Sequence, residues 1–121
     1  MIRIKRAYEK ASARDGTRIL VDRLWPRGVS KERIKVTEWM QDIGPSRELI
    51  KWFGHDPRRW EEFEERYRKE LAAKEDLIEK LRALAKKNDL TLVYSAKDEI
   101  HNQAVVIKKV LESDTVEDVI N

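Results

Sequence analysis

The sequence predicts a small three-layer α/β fold, with at least two parallel central strands, an N-terminal edge strand, and helices on both faces. Three observations carry that expectation. Two runs, Ile19 to Trp25 and Leu90 to Ala96, are apolar on both faces, as strands covered on both sides are. A long stretch of helical periodicity separates them, and a crossover of that length favours parallel pairing through a right-handed connection. The chain has 121 residues, the size of one compact domain, and shows no repeat and no linker, so residues 1–121 read as a single domain.

Each element has its own signal. Ile2-Arg3-Ile4-Lys5-Arg6-Ala7-Tyr8 alternates apolar and basic residues, which predicts a strand with one wet face, at the sheet edge. Glu9 to Thr17 is a loop ending in the turn signal Asp15-Gly16. In the next strand Ile19, Val21 and Trp25 are expected on one face and Leu20 and Leu24 on the other, until Pro26 stops the ladder. Ser30 is expected to cap a short helix through Ile34, and Thr37 another around Trp39 and Met40. Gly44-Pro45 breaks the chain and Ser46 caps a turn bearing Leu49, Ile50, Trp52 and Phe53. Asp56-Pro57 is a helix start, because the carboxylate accepts from free N–H groups and proline suits the first position. Trp60, Phe63, Tyr67 and Leu71 then recur at helical spacing, followed by a second stripe of Leu77, Ile78, Leu81, Leu84 and Ala85. His101 to Leu111 reads as a closing helix and Asp114 to Asn121 as an acidic tail with one more turn.

Composition excludes several functions. The chain has no cysteine, which removes disulfides, thiolate metal sites and cysteine nucleophiles. The two histidines, His55 and His101, are isolated and lack ligand spacing, so no metal is expected, and no cofactor motif is present. No apolar run reaches spanning length and no secretory leader is visible, so a cytoplasmic protein without membrane contact is expected. Net charge is +3 but uneven: residues 1–35 hold 11 Lys/Arg against 4 Asp/Glu, a net of +7, leaving −4 for the rest. A basic first third can attract phosphates or nucleic acid, or be neutralised by the acidic helices.

In open α/β sheets, ligands bind beyond the carboxyl ends of the strands. One such end delivers Asp22, Arg23, Trp25 and Arg27; the other delivers Tyr94, Ser95 and Lys97, then Asp98, His101 and Asn102. Arg23 and Arg27 offer forked donors suited to phosphate or carboxylate, with Lys97 beside them and Ser95 and Asn102 adding hydrogen bonds. Asp22 is a candidate base, with Lys97 or an N-terminal arginine as its expected partner; a helical carboxylate or a bound anion is expected for Arg23. His101 is a candidate acid or base that lacks an evident partner. The competing reading is an ion-pair cluster that only ties the loop to the helices.

At this point a resemblance becomes legible. Arg18-Ile19-Leu20-Val21-Asp22-Arg23-Leu24-Trp25-Pro26-Arg27-Gly28 looks like the signature of the YeaO-like proteins, domain-of-unknown-function family 488. Trp39, Pro45-Ser46, Trp52-Phe53, His55-Asp56-Pro57 and Thr91-Leu92-Val93-Tyr94-Ser95-Ala96-Lys97-Asp98 continue the pattern, from about Ile2 to Leu111. The resemblance implies a compact α/β protein and carries over no activity.

Three function classes follow from the residues. The first is a small-molecule protein that binds a phosphate or carboxylate ligand, as a binder or an enzyme. The second is a nucleic-acid-binding module using the basic N-terminal third. The third is a structural or interaction protein without a ligand. The clustering of polar residues at two strand ends favours the first, because the basic residues form no groove-reading motif. No oligomeric state follows from the sequence.

Overall fold

A computed structural model describes residues 1–113; the acidic tail read at Asp114 to Asn121 lies outside them. Among these residues four strands form one sheet in the order β1-β4-β2-β3, with β1 at Ile2–Arg6, β2 at Thr17–Leu20, β3 at Glu38–Trp39 and β4 at Leu90–Tyr94. Every pairing is parallel. β1 is an edge strand, as its alternation requires, and its five residues match β4 from Ile2 opposite Leu90 to Arg6 opposite Tyr94. β4 is buried at every position, which explains why its sequence shows no polar alternation.

Two elements differ from expectation. β2 ends at Leu20, although the Val21 N–H still donates to the Val93 carbonyl at 3.0 Å. Beyond it the chain turns, because Asp22 reaches back to the end of β4. Trp25 therefore leaves the face of Ile19 and Val21 and joins that of Leu20, its ring 5.4 Å edge-on from Trp39. Leu24 turns to solvent. The second difference is β3, which occupies the place expected for a helix at Trp39. Thr37 caps nothing: its N–H donates to the Arg18 carbonyl at 2.7 Å and its hydroxyl accepts from the Arg18 N–H at 3.3 Å. The open edge of β2 offered backbone partners that a short local helix could not match.

Among the described residues the five helices are α1 at Lys31–Ile34, α2 at Arg47–Phe53, α3 at Trp60–Ala72, α4 at Glu75–Lys87 and α5 at Gln103–Glu112. Ser30 and Ser46 cap α1 and α2 as the sequence predicts. Asp56 caps a single 3-10 turn at Pro57–Arg59, and α3 follows it. The helices cover the two faces unequally. Ile19, Val21, Leu90, Leu92 and Tyr94 pack against α2 through α5, forming the main core with Phe53, Phe63, Tyr67, Leu81 and Ile107. The opposite face buries Leu20 and Val93 under Ala7, Val29 and Ile34 of α1, with Trp25 and Trp39 at its border. The remainder of that face is ionic: buried Arg18 donates to the Asp15 carboxylate at 2.7 Å and to the Ile34 carbonyl at 2.7 and 3.0 Å, and Lys5 approaches Asp15 at 3.2 Å.

Candidate functional site

Where β2 and β4 end, the chain opens a cleft of about 360 Å³. Asp22 lies on its floor, 5% exposed. One carboxylate oxygen accepts from the Ser95 N–H at 3.0 Å, and the other accepts a short hydrogen bond from the Gln103 side-chain amide. The partner expected for Asp22, Lys97 or an N-terminal arginine, is thus replaced by neutral donors from Ser95 and Gln103. Burial pushes this carboxyl up to about 6, against the opposing pull of the bonds from Ser95 and Gln103. Its backbone carbonyl accepts from the Trp39 indole at 2.7 Å, which anchors the turn to β3.

Arg23 lines the same cleft, but its fork is engaged. Nε donates to the Pro45 carbonyl at 2.9 Å and Nη2 to the Gly44 carbonyl at 2.7 Å. Backbone carbonyls stand where a helical carboxylate or an anion was expected. Gly44 lies close under Arg23, since a Cβ there would meet the Arg23 nitrogen at 3.0 Å. Trp25 forms part of the wall, its indole donating to the Val29 carbonyl at 2.6 Å. Arg27 is exposed at the mouth, with only its carbonyl held, by the Tyr8 hydroxyl at 3.0 Å.

From the other strand end, Ser95 contributes its backbone N–H to Asp22. Asn102 lines the cleft but is buried as the cap of α5: Oδ1 accepts from the Val105 N–H at 3.2 Å and Nδ2 donates to the Asp98 carbonyl at 2.9 Å. Lys97 is exposed and does not line the cleft. His101 does, and it has the partner that sequence alone did not reveal: Nδ1 is 2.8 Å from the Asp98 carboxylate. The backbone N–H of His101, then its ring and the Ile100 N–H, hold Asp98 down at about 2. With that carboxylate ionised, Nδ1 carries the proton and Nε2 is the acceptor of the neutral ring. Trp60 and this imidazole meet in a T-shaped contact, their ring centroids 5.2 Å apart.

Sequence reasoning did not assign Gln103, the first residue of α5, nor the apolar walls from Ile50, Phe53 and Phe63. The Asp-x-x-His spacing at Asp98 and His101 was the available signal for their pair; nothing local marks Gln103 as a partner of a residue 81 positions earlier. Among the described residues no cluster of His, Cys, Asp or Glu could hold a metal ion, and no helix is long and apolar enough to cross a membrane.

These features define an all-parallel α/β protein with a polar-floored cleft at its strand ends. Residues 1–119 match the family described as the inactive DUF488-N3 subclade, and the chain belongs to that YeaO-like DUF488 family. It is 46% identical over 112 residues to "Uncharacterized protein YeaO" of Escherichia coli K12, covering 93% of this chain and 97% of that protein. It is 38% identical over 110 residues to "Uncharacterized protein Rv3073c" of Mycobacterium tuberculosis H37Rv, covering 91% and 92%. No solved structure matches it significantly.

Proposed function

We propose that the protein is a non-catalytic binding protein whose cleft takes a small molecule bearing a phosphate or carboxylate. The observation that carries this is the division of labour in the cleft. Asp22, Arg23 and Asn102 are each held by internal hydrogen bonds, whereas the guanidinium of Arg27 stands at the mouth with no ion pair among the described residues. A site whose polar groups are fixed, with one charged fork left at an apolar-walled opening, is suited to holding a ligand. The absence of cysteine removes the strongest nucleophile, and the family description "inactive" agrees with a binding role.

The test is a thermal-shift panel of inorganic phosphate, sulfate, hexanoate, sugar phosphates and nucleotides on the parent and on Arg27→Ala. The proposal expects at least one compound to raise the melting temperature of the parent and to lose most of that effect in the variant. An equal rise in both proteins contradicts it, as does a parent that no compound bearing an acidic group stabilises.

The Asp98–His101 pair favours a second reading, an acid–base enzyme with His101 Nε2 as the base. Mass spectrometry of the panel compounds after incubation separates the two: a product formed by the parent and not by His101→Gln supports the enzyme, and unchanged compounds support the binder.

A further inference from the structure

We infer that the ligand of this cleft is amphoteric, with a cationic hydrogen-bond donor, an ammonium or guanidinium, at its inner end against Asp22 and an acidic group at its outer end against Arg27. This rests on the cleft being a binding site and adds the class of molecule it takes.

Asp22 is the only carboxylate among the described residues that line the cleft, and it is almost wholly buried. Its hydrogen-bond partners, Ser95 through its N–H and its side chain and the Gln103 amide, are all neutral. No Lys, Arg or His among the described residues lies within ion-pair distance of it, and the neighbouring Arg23 fork is turned onto the Gly44 and Pro45 carbonyls. A buried carboxylate without a cation is costly, and ionised, with about four acceptor sites, it keeps accepting capacity beyond the bonds from Ser95 and Gln103. An incoming ammonium or guanidinium supplies both the missing charge and the missing donors.

The same carboxylate repels an acid from the floor, so the acidic end must point outwards, where Arg27 and His55 border the mouth. Between floor and mouth the walls are Trp25, Ile50, Phe53 and Phe63. They fit an apolar spacer of methylenes or a ring. Leu24, Ile50 and Tyr8, three of the large apolar side chains left exposed on the described surface, all border this opening. They would be covered as such a spacer enters.

The experiment is calorimetric titration of the parent, Asp22→Asn and Arg27→Ala with 6-aminohexanoate, arginine, hexanoate and hexylamine at pH 7.5. Binding of 6-aminohexanoate or arginine is expected, weakened at least tenfold in each variant. Hexanoate and hexylamine, each lacking one end, are expected to bind at least tenfold more weakly than 6-aminohexanoate. A second measurement guards against misfolding of Asp22→Asn: the parent is titrated with 6-aminohexanoate at pH 5.5 and 7.5, where both ends of the ligand stay charged. Affinity is expected to fall at the lower pH as Asp22 takes up a proton. If hexanoate binds as tightly as 6-aminohexanoate, and Asp22→Asn leaves both unchanged, the cleft binds acids but the amphoteric assignment is overturned. If no compound here or in the anion panel binds the parent, the binding role falls and this assignment with it.

Discussion

At Asp22 the fold holds a carboxyl away from water with only neutral hydrogen-bond donors, and that arrangement makes stability depend on pH in an unusual direction. Its native value lies near 6, above the ordinary 3.8, so the folded chain binds more protons than the unfolded chain between those values. Stability is therefore highest below about pH 4 for this group and is lost as pH rises through 6, by roughly 3 kcal/mol. At Asp98, whose value is lowered, stability is instead lost below the ordinary carboxylate range, outside this window. Urea unfolding from pH 4.5 to 7 should show the decline in the parent and a flat profile in Asp22→Asn; a parent that gains stability over that range contradicts the placement. Asp15 behaves differently. Burial raises it, but the Ser12 N–H, Lys5 and Arg18 outweigh that. Arg18→Ala would leave this buried carboxylate short of its closest partner and should cost about 3–5 kcal/mol in denaturant unfolding. The sequence displayed Asp22 and Arg23 as charges ending an apolar run, but it hid their partners. A backbone N–H, two carbonyls and an amide 81 residues away leave no local trace.

The elements show where local pattern suffices and where it does not. Helices α1 through α5 were legible because caps and stripes lie within a turn or two of each other: Ser30, Ser46 and Asp56 stand at their predicted stations. β3 was not legible, since two residues carry no periodicity and its existence depends on the free edge of β2. The early end of β2 was hidden for the same reason: Trp25 continues the apolar run but is drawn to Trp39. Two substitutions test these elements. Asn102→Ala removes the cap of α5 and the tie to the Asp98 carbonyl, and should lower stability by about 1–2 kcal/mol without unfolding the chain. Gly16→Ala should cost more, above about 2 kcal/mol. Gly16 has φ +64°, and a Cβ there would sit 2.2 Å from the Asp89 carbonyl oxygen that sets β2 against β4. A thermal midpoint unchanged by Gly16→Ala would contradict the described register.

Over the whole molecule, the basic residues of the first third include two distinct groups. Arg3, Lys5, Arg6, Arg18 and Arg23 are engaged by Asp89, Asp15 and backbone carbonyls. Lys10, Arg33 and Lys35, with Ala11, line a separate groove of about 350 Å³. The charge asymmetry visible in the sequence is thus in good part internal wiring of an all-parallel sheet rather than a continuous basic surface. The cleft, by contrast, lies at the carboxyl ends of the two central strands, where a parallel sheet leaves backbone groups and loop side chains convergent. Small charged ligands are therefore expected to engage the cleft and leave the groove untouched.

The most direct measurement is a two-dimensional amide NMR titration of the isotopically labelled protein with 6-aminohexanoate, phosphate and hexanoate. A binding cleft predicts shifts at the Ser95 amide, the Gln103 side-chain amide and the Trp25 indole, with the Lys10, Arg33 and Lys35 amides unmoved. Shifts confined to those three basic residues, or a spectrum unchanged by all three compounds, would contradict it.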